Sequence, residues 1–145
     1  MTSSADQLVA RARRVIGRIR PAELAPVAAA GGLIVDIRPA GQRAAEGDLP
    51  GALVVERNVL EWRLDPSGSH RLPDVTSFDQ PVVVFCSEGY ASSLAAESLH
   101  FLGYREVSDL AGGYQAWRAW VDADRPAVSD DSPSAVEAEH HRSSA

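Results

Sequence analysis

The sequence has no lysine. All fourteen of its cations are arginine, against twenty acidic residues, for a formal charge of −6. An acidic chain repels a polyphosphate backbone, which argues against nucleic-acid binding outside the N-terminal arm. There is one cysteine, Cys86, among 145 residues. That rules out an intramolecular disulfide and a cysteine-based zinc cluster, and an unpaired thiol suits a reducing, cytoplasmic setting. No run of ~18 apolar residues is present, so no membrane-spanning helix is expected. A signal peptide is not expected either, because residues 1–20 lack a continuous apolar segment and a small-residue cleavage site. The charge is uneven: residues 1–20 carry +4, 21–125 carry −7 and 126–145 carry −3. Hydrophobic residues make up 45% of the chain and charged residues 23%, enough for one globular core.

Along the chain, apolar periodicity predicts an amphipathic helix over 4–20, with Leu8, Ala12, Val15, Ile16 and Ile19 on one stripe and Ser4 with Gln7 as a capping box. Pro21 closes it. A short helix over 21–30 ends at Gly31-Gly32. Three apolar runs of strand length follow, Leu33–Ile37, Ala52–Val55 and Val82–Phe85. They are near-continuous and β-branched, as in strands covered on both faces of a parallel sheet. Helices are expected over Val59–Leu64, Ala91–Leu102 and Tyr114–Val121, and a weak strand over Glu106–Leu110. Residues 65–80 read as a surface loop. Strands alternating with helices predict an α/β domain with a mainly parallel sheet. Residues 126–145 have almost nothing to bury and read as a disordered acidic tail, in which His140-His141 is expected to be solvated.

The chemistry points to Cys86-Ser87-Glu88-Gly89-Tyr90-Ala91-Ser92. A buried strand ends, a compact loop follows, and a helix begins. Ligands bind at the carboxyl ends of strands in open α/β sheets. A loop curled around the thiol would aim successive N–H groups at it and stabilise the thiolate, the form that attacks. Gly89 permits a sharp turn. Two readings stand open from these residues: an inert core cysteine and an activated nucleophile. The thiol's place at the exit of the most apolar strand, before small and polar residues, favours the second.

The loop resembles the active-site loop of the rhodanese family, with Cys86, Gly89 and Ser92 matching its Cys-x-x-Gly-x-Arg-Ser pattern. Asp36-Ile37-Arg38 is similar to the family's Asp-x-Arg signature, Gly47–Ala52 to its Gly-His-Ile-Pro-Gly-Ala turn, and Gly112-Gly113-Tyr114 with Trp117 to its Gly-Gly-x-x-x-Trp element. The likeness covers roughly residues 18–122. It implies a central, mainly parallel five-stranded sheet with helices on both faces. The expected organisation is a helical extension at 1–17, a rhodanese-like domain at 18–125 and the tail at 126–145. The implied activity is sulfur transfer. Cys86 would take the outer sulfur of thiosulfate or a persulfide, hold it as a persulfide, and yield it to a thiol or cyanide acceptor. The alternative is a rhodanese-like binding or regulatory module with little catalysis. With no second cysteine, the acceptor must come from outside, from a small molecule or a sulfur-relay protein. No metal or organic cofactor is implied, and a monomer or weak homodimer is expected. The six-residue loop from Cys86 through Ala91 resembles the sulfurtransferase length, one residue shorter than in the related phosphatases and arsenate reductases.

Two departures bear on the donor. Ala91 stands where the family usually has Arg, which would pair with the sulfonate end of thiosulfate. Glu88 adds negative charge that opposes an anionic donor. Ser87, Tyr90 and Ser92 complete the loop. Asp36 and Arg38 are expected to brace it through hydrogen bonds, and Arg57, just past a strand end, is a candidate for the missing cation.

Overall fold

The computed structural model describes residues 2–123, so the expected acidic tail lies outside the described residues. Five strands form one sheet in the order β1-β5-β4-β2-β3, and every pairing is parallel. They are β1 (Gly17–Ile19), β2 (Leu33–Asp36), β3 (Leu53–Val54), β4 (Val82–Phe85) and β5 (Val107–Leu110). Six α-helices connect or flank them: α1 (Ser4–Ala12), α2 (Leu24–Ala29), α3 (Ala40–Glu46), α4 (Leu60–Arg63), α5 (Ala91–Leu102) and α6 (Gly113–Ala123). Among the described residues, no helix is long and apolar enough to cross a membrane.

Successive side chains of a strand point to opposite faces, and here each face has its own core. Leu33, Val35, Val82 and Val84 point to one side, with Ala95, Ala96 and Leu99 of α5. Ile34, Val83 and Phe85 point to the other, with Leu24 of α2 and Tyr114 of α6. That is why β4 is apolar at every position and β2 at its first three, before Asp36. The register is continuous, Leu33↔Val82 through Asp36↔Phe85, so the carboxyl ends of the central strands finish level.

The N-terminal region departs from the expected single helix. The cap is Ser3, whose hydroxyl accepts the Asp6 N–H at 3.0 Å, and not Ser4. The helix stops at Ala12, and Gly17–Ile19 joins the sheet beside β5, with Gly17 opposite Ser108. Gly17 is the local signal: glycine costs a helix interior ~1 kcal/mol relative to alanine. The buried residues Ala12 and Ile16 suit either arrangement, and pairing with β5 decides between them. Helix α3 was not anticipated, because Ala-Gly-Gln-Arg-Ala-Ala-Glu has no large apolar residue to reveal a period. The expected helices at 21–30 and 59–64 are each a 3-10 turn followed by a short α-helix. The loop at 65–80 is anchored from beneath by Val75, which is fully buried.

Candidate active site

Cys86 follows the last residue of β4, and α5 begins five residues later at Ala91. Its Sγ accepts the N–H of Gly89 at 3.2 Å and of Ser92 at 3.3 Å. The thiol is 8% exposed, on the floor of an open pocket of about 290 Å³ whose lining also includes Glu46, Ser87, Glu88, Tyr90 and Ala91. The predicted cup of main-chain amides is therefore present.

Three of the loop's carbonyls, those of Cys86, Ser87 and Gly89, are engaged from outside, which helps turn its amides inward. The Cys86 carbonyl accepts the Tyr114 N–H at 2.8 Å, and that of Ser87 accepts the Gln115 N–H at 3.1 Å. These donors lie in the first turn of α6, where N–H groups have no partner within the helix. The Gly89 carbonyl accepts from Arg13 Nη2 at 2.7 Å and Arg18 Nη2 at 3.0 Å. Gly89 itself has φ +95°, and a Cβ there would stand 2.9 Å from the Gly112 nitrogen. A side chain at 89 would clash as well as strain the backbone. Preorganised N–H donors of this kind stabilise a thiolate or any anion formed on its sulfur.

Two buried polar networks hold the cup. Arg38, 2% exposed, grips Asp36 with Nε to Oδ1 at 3.0 Å and Nη2 to Oδ2 at 2.8 Å. It also donates to Glu46 Oε1 at 3.1 Å and the Gly47 carbonyl at 2.9 Å, and its guanidinium lies 4.1 Å from the Tyr114 ring centroid. Burial works against this charge, but hydrogen bonds and charge from Asp36, then Glu46, outweigh it and hold the pKa above the ordinary arginine value. Glu46 Oε2 in turn accepts the Ser87 hydroxyl at 2.7 Å, and Gln115 Nε2 donates to the same Ser87 Oγ at 3.0 Å. Asp36 and Arg38 thus brace the loop through Glu46 without lining the pocket. The second network centres on Asp109 of β5, fully buried. It accepts from Arg18 Nε at 2.8 Å, Ser92 Oγ at 2.9 Å and Ser93 Oγ at 2.7 Å.

Arg57 does not join the site. Its guanidinium donates to Glu61 at 3.0 Å, one turn along, and the residue lines a separate depression beside Ile37 and Glu56. The cation expected there is not in the Cys86 pocket, whose lining holds two carboxylates, Glu46 and Glu88, and no basic side chain. Sequence reading missed Arg13, Arg18, Glu46, Asp109 and Gln115. Asp109 left a signal: a carboxylate in an apolar strand of a parallel sheet must find buried partners. The others are surface-type residues whose placement has no local signature.

The fold is a parallel α/β sheet with a lone cysteine cupped by main-chain amides at a strand exit. The chain belongs to the rhodanese-like domain family, whose model matches residues 21–119. It is 32% identical over 110 residues to the thiosulfate sulfurtransferase GlpE of Stutzerimonas stutzeri, covering 74% of this chain and 89% of that one. It is 33% identical over 94 residues to the adenylyltransferase and sulfurtransferase UBA4 of Candida albicans; the match takes in 65% of this chain but only 21% of that longer protein. Among solved structures, a protein of unknown function and possible tyrosine phosphatase from Rhodopseudomonas palustris CGA009 superimposes with a TM-score of 0.73 at 29% identity, covering 87% of this chain and 95% of that one.

Proposed function

We propose that this chain is a sulfurtransferase that carries sulfane sulfur as a persulfide on Cys86. The observation that carries the reading is the Sγ held by the Gly89 and Ser92 amides at the floor of an open pocket. In the first half-reaction the Cys86 thiolate attacks the outer sulfur of the donor. A new S–S bond forms, the donor's own bond to that sulfur breaks, and the donor leaves as a thiolate or, from thiosulfate, as sulfite. In the second, an external thiolate or cyanide attacks the terminal sulfur and restores the thiolate. No net oxidant is needed, and the amides on Sγ stabilise the thiolate that attacks first and leaves last.

The pocket's charge narrows the donor. Glu46 and Glu88 with no cation oppose thiosulfate, whose charged sulfonate is bonded directly to the sulfur under attack, so the donor proposed here is a thiol-borne persulfide, small or protein-bound, in preference to thiosulfate. The same feature disfavours a phosphate-ester substrate, whose dianion needs paired cations. The kinship with the sulfurtransferase UBA4 supports sulfur transfer, and with one thiol in this chain the acceptor proposed is external, a small thiol or a sulfur-relay protein. A persulfide carrier with one thiol suits a reducing compartment such as the cytoplasm.

The test is to incubate the protein with glutathione persulfide or thiosulfate, remove the donor, and weigh the intact protein for one added sulfur. Cyanide is then added and thiocyanate read. The expected result is a sulfur adduct that Cys86→Ser cannot form, faster from the persulfide. No adduct from either donor would leave a binding module as the better description. Hydrolysis of a phosphotyrosine analogue above a Cys86→Ser control would favour the phosphatase alternative.

A further inference from the structure

Two arginines from outside the family-matched segment converge on one carbonyl of the Cys86 loop. Arg13, in the turn after α1, donates from Nη2 to the Gly89 carbonyl at 2.7 Å and from Nε to Ser93 Oγ at 2.9 Å. Arg18, in β1, reaches the same carbonyl at 3.0 Å. The family match begins at residue 21. Arg18 is neutralised by Asp109, in contact at 2.8 Å. Arg13 has no carboxylate within ion-pair distance among the described residues, and its guanidinium carbon lies 5.6 Å from the Tyr90 ring centroid.

We propose that Arg13 is a positioning residue for the Cys86 thiolate: its two-point grip on Gly89 and Ser93 holds the loop closed around the sulfur, and the N-terminal segment is part of the active machinery. This rests on reading Cys86 as the reactive sulfur. Gly89 presents both faces of the device, its N–H to Cys86 Sγ and its carbonyl to the arginines. Pulling the carbonyl outward keeps the N–H on the sulfur. The hydrogen bonds are charge-assisted, the stronger kind. The guanidinium also brings a positive charge to a loop that carries Glu88 and faces a pocket lined by Glu46 of α3. It does so without lining the pocket, so it meets no donor.

The test uses the 145-residue chain in four forms: the parent, Arg13→Ala, Arg13→Lys and Arg11→Ala. Arg11 sits on the same helix and ion-pairs with Glu97 of α5 at 3.9 Å, so its variant controls for a disturbed helix contact. Two rates are read. One is alkylation of Cys86 by iodoacetamide, and the other is sulfur transfer from glutathione persulfide to cyanide. Arg13→Ala is expected to lower the alkylation rate and kcat about ten- to a hundredfold, the loss of a charge-assisted hydrogen bond, with KM for the persulfide unchanged. Arg13→Lys, which reaches one partner and not two, falls between, and Arg11→Ala matches the parent. The proposal is overturned if Arg13→Ala behaves as the parent, if it raises KM at constant kcat, if Arg13→Lys recovers everything, or if Arg11→Ala loses as much. Should Arg13→Ala not fold, Arg13→Lys decides alone: a lower kcat with KM unchanged supports the grip, and a parent-like kcat refutes it. If the parent transfers no sulfur, the persulfide reading fails while the alkylation rates still report on Arg13.

Discussion

The backbone of Gly113 lies directly against that of Cys86: a Cβ built on Gly113 would stand 2.6 Å from the Cys86 carbonyl oxygen. This approach lets the first turn of α6 hold the loop, with the Tyr114 N–H on that carbonyl at 2.8 Å. Gly113→Ala therefore meets a clash and a φ of +64° together. The left-handed backbone alone costs a side-chain-bearing residue about 1–2 kcal/mol, and moving the carbonyl away breaks the bond that orients the cup. The expected outcome is a stability loss of about 2–4 kcal/mol by urea denaturation, of the size other strained or overpacked sites show, with slower alkylation of Cys86.

Arg38 joins β2 to the loop through Glu46, with both Asp36 and Arg38 buried. Arg38→Met leaves the Asp36 carboxylate buried without its partner. Removing one member of such a pair costs about 3–5 kcal/mol. Sulfur transfer should fall as well, because Glu46 loses the contact that fixes it against Ser87. A variant as stable as the parent in a denaturation titration would contradict this account.

Tyr104 gives an alkaline signature. Burial, with a smaller contribution from the Asp65 charge, pushes its phenol up to about 12. An unfolded tyrosine titrates near ~10. The unfolded chain therefore releases its proton first, and stability that is complete below pH ~10 is lost as pH rises through about 12. The loss is on the order of 2–3 kcal/mol. Denaturation titrations across that window should show the decline. In Tyr104→Phe this contribution to the decline should be absent. Below pH ~10 that variant should be weaker by about 1–3 kcal/mol, since the Leu64 carbonyl loses the hydroxyl that it accepts at 2.7 Å, and the gap should close as pH rises through about 12.

Ala91 is exposed and lines the pocket. Ala91→Arg would place a guanidinium beside Cys86, where charge-assisted bonds to a sulfonate are worth about 1.5–3 kcal/mol. Its kcat/KM with thiosulfate should rise roughly ten- to a hundredfold, and that with an organic persulfide, which has no sulfonate, should rise by less. Glu88→Gln should move thiosulfate use the same way, by less. Equal thiosulfate rates in all three proteins would show that pocket charge does not select the donor.

Much of the fold is legible locally. Val82–Phe85 announces a doubly covered strand, and Ala91–Leu102 carries its own stop at Gly103. Elements with a weak pattern were harder. Helix α3 has only alanines for an apolar face, and β1 has three residues inside a stretch of helical period. The centre of the site was legible for the same reason, since a cysteine at the end of an apolar strand followed by small residues is a local feature. Of its supports, Asp36 and Arg38 were visible only through the family resemblance, and Arg13, Arg18, Glu46, Asp109 and Gln115 were missed. Arg57 looked like the missing cation because it follows β3 closely, but Glu61 one turn along engages it.

By itself the sequence determined where the sheet's central strands run and where the sulfur sits, because composition and period act over a few residues. Only the tertiary structure decided what surrounds the sulfur. Arg13 is 76 residues from Gly89 in the chain, Arg18 is 91 from Asp109, and Ser87 is 41 from Glu46. Those partners meet because the parallel order β1-β5-β4-β2 gathers strand ends and helix starts at one edge. A hydrogen bond depends on that convergence in space, which no local propensity encodes.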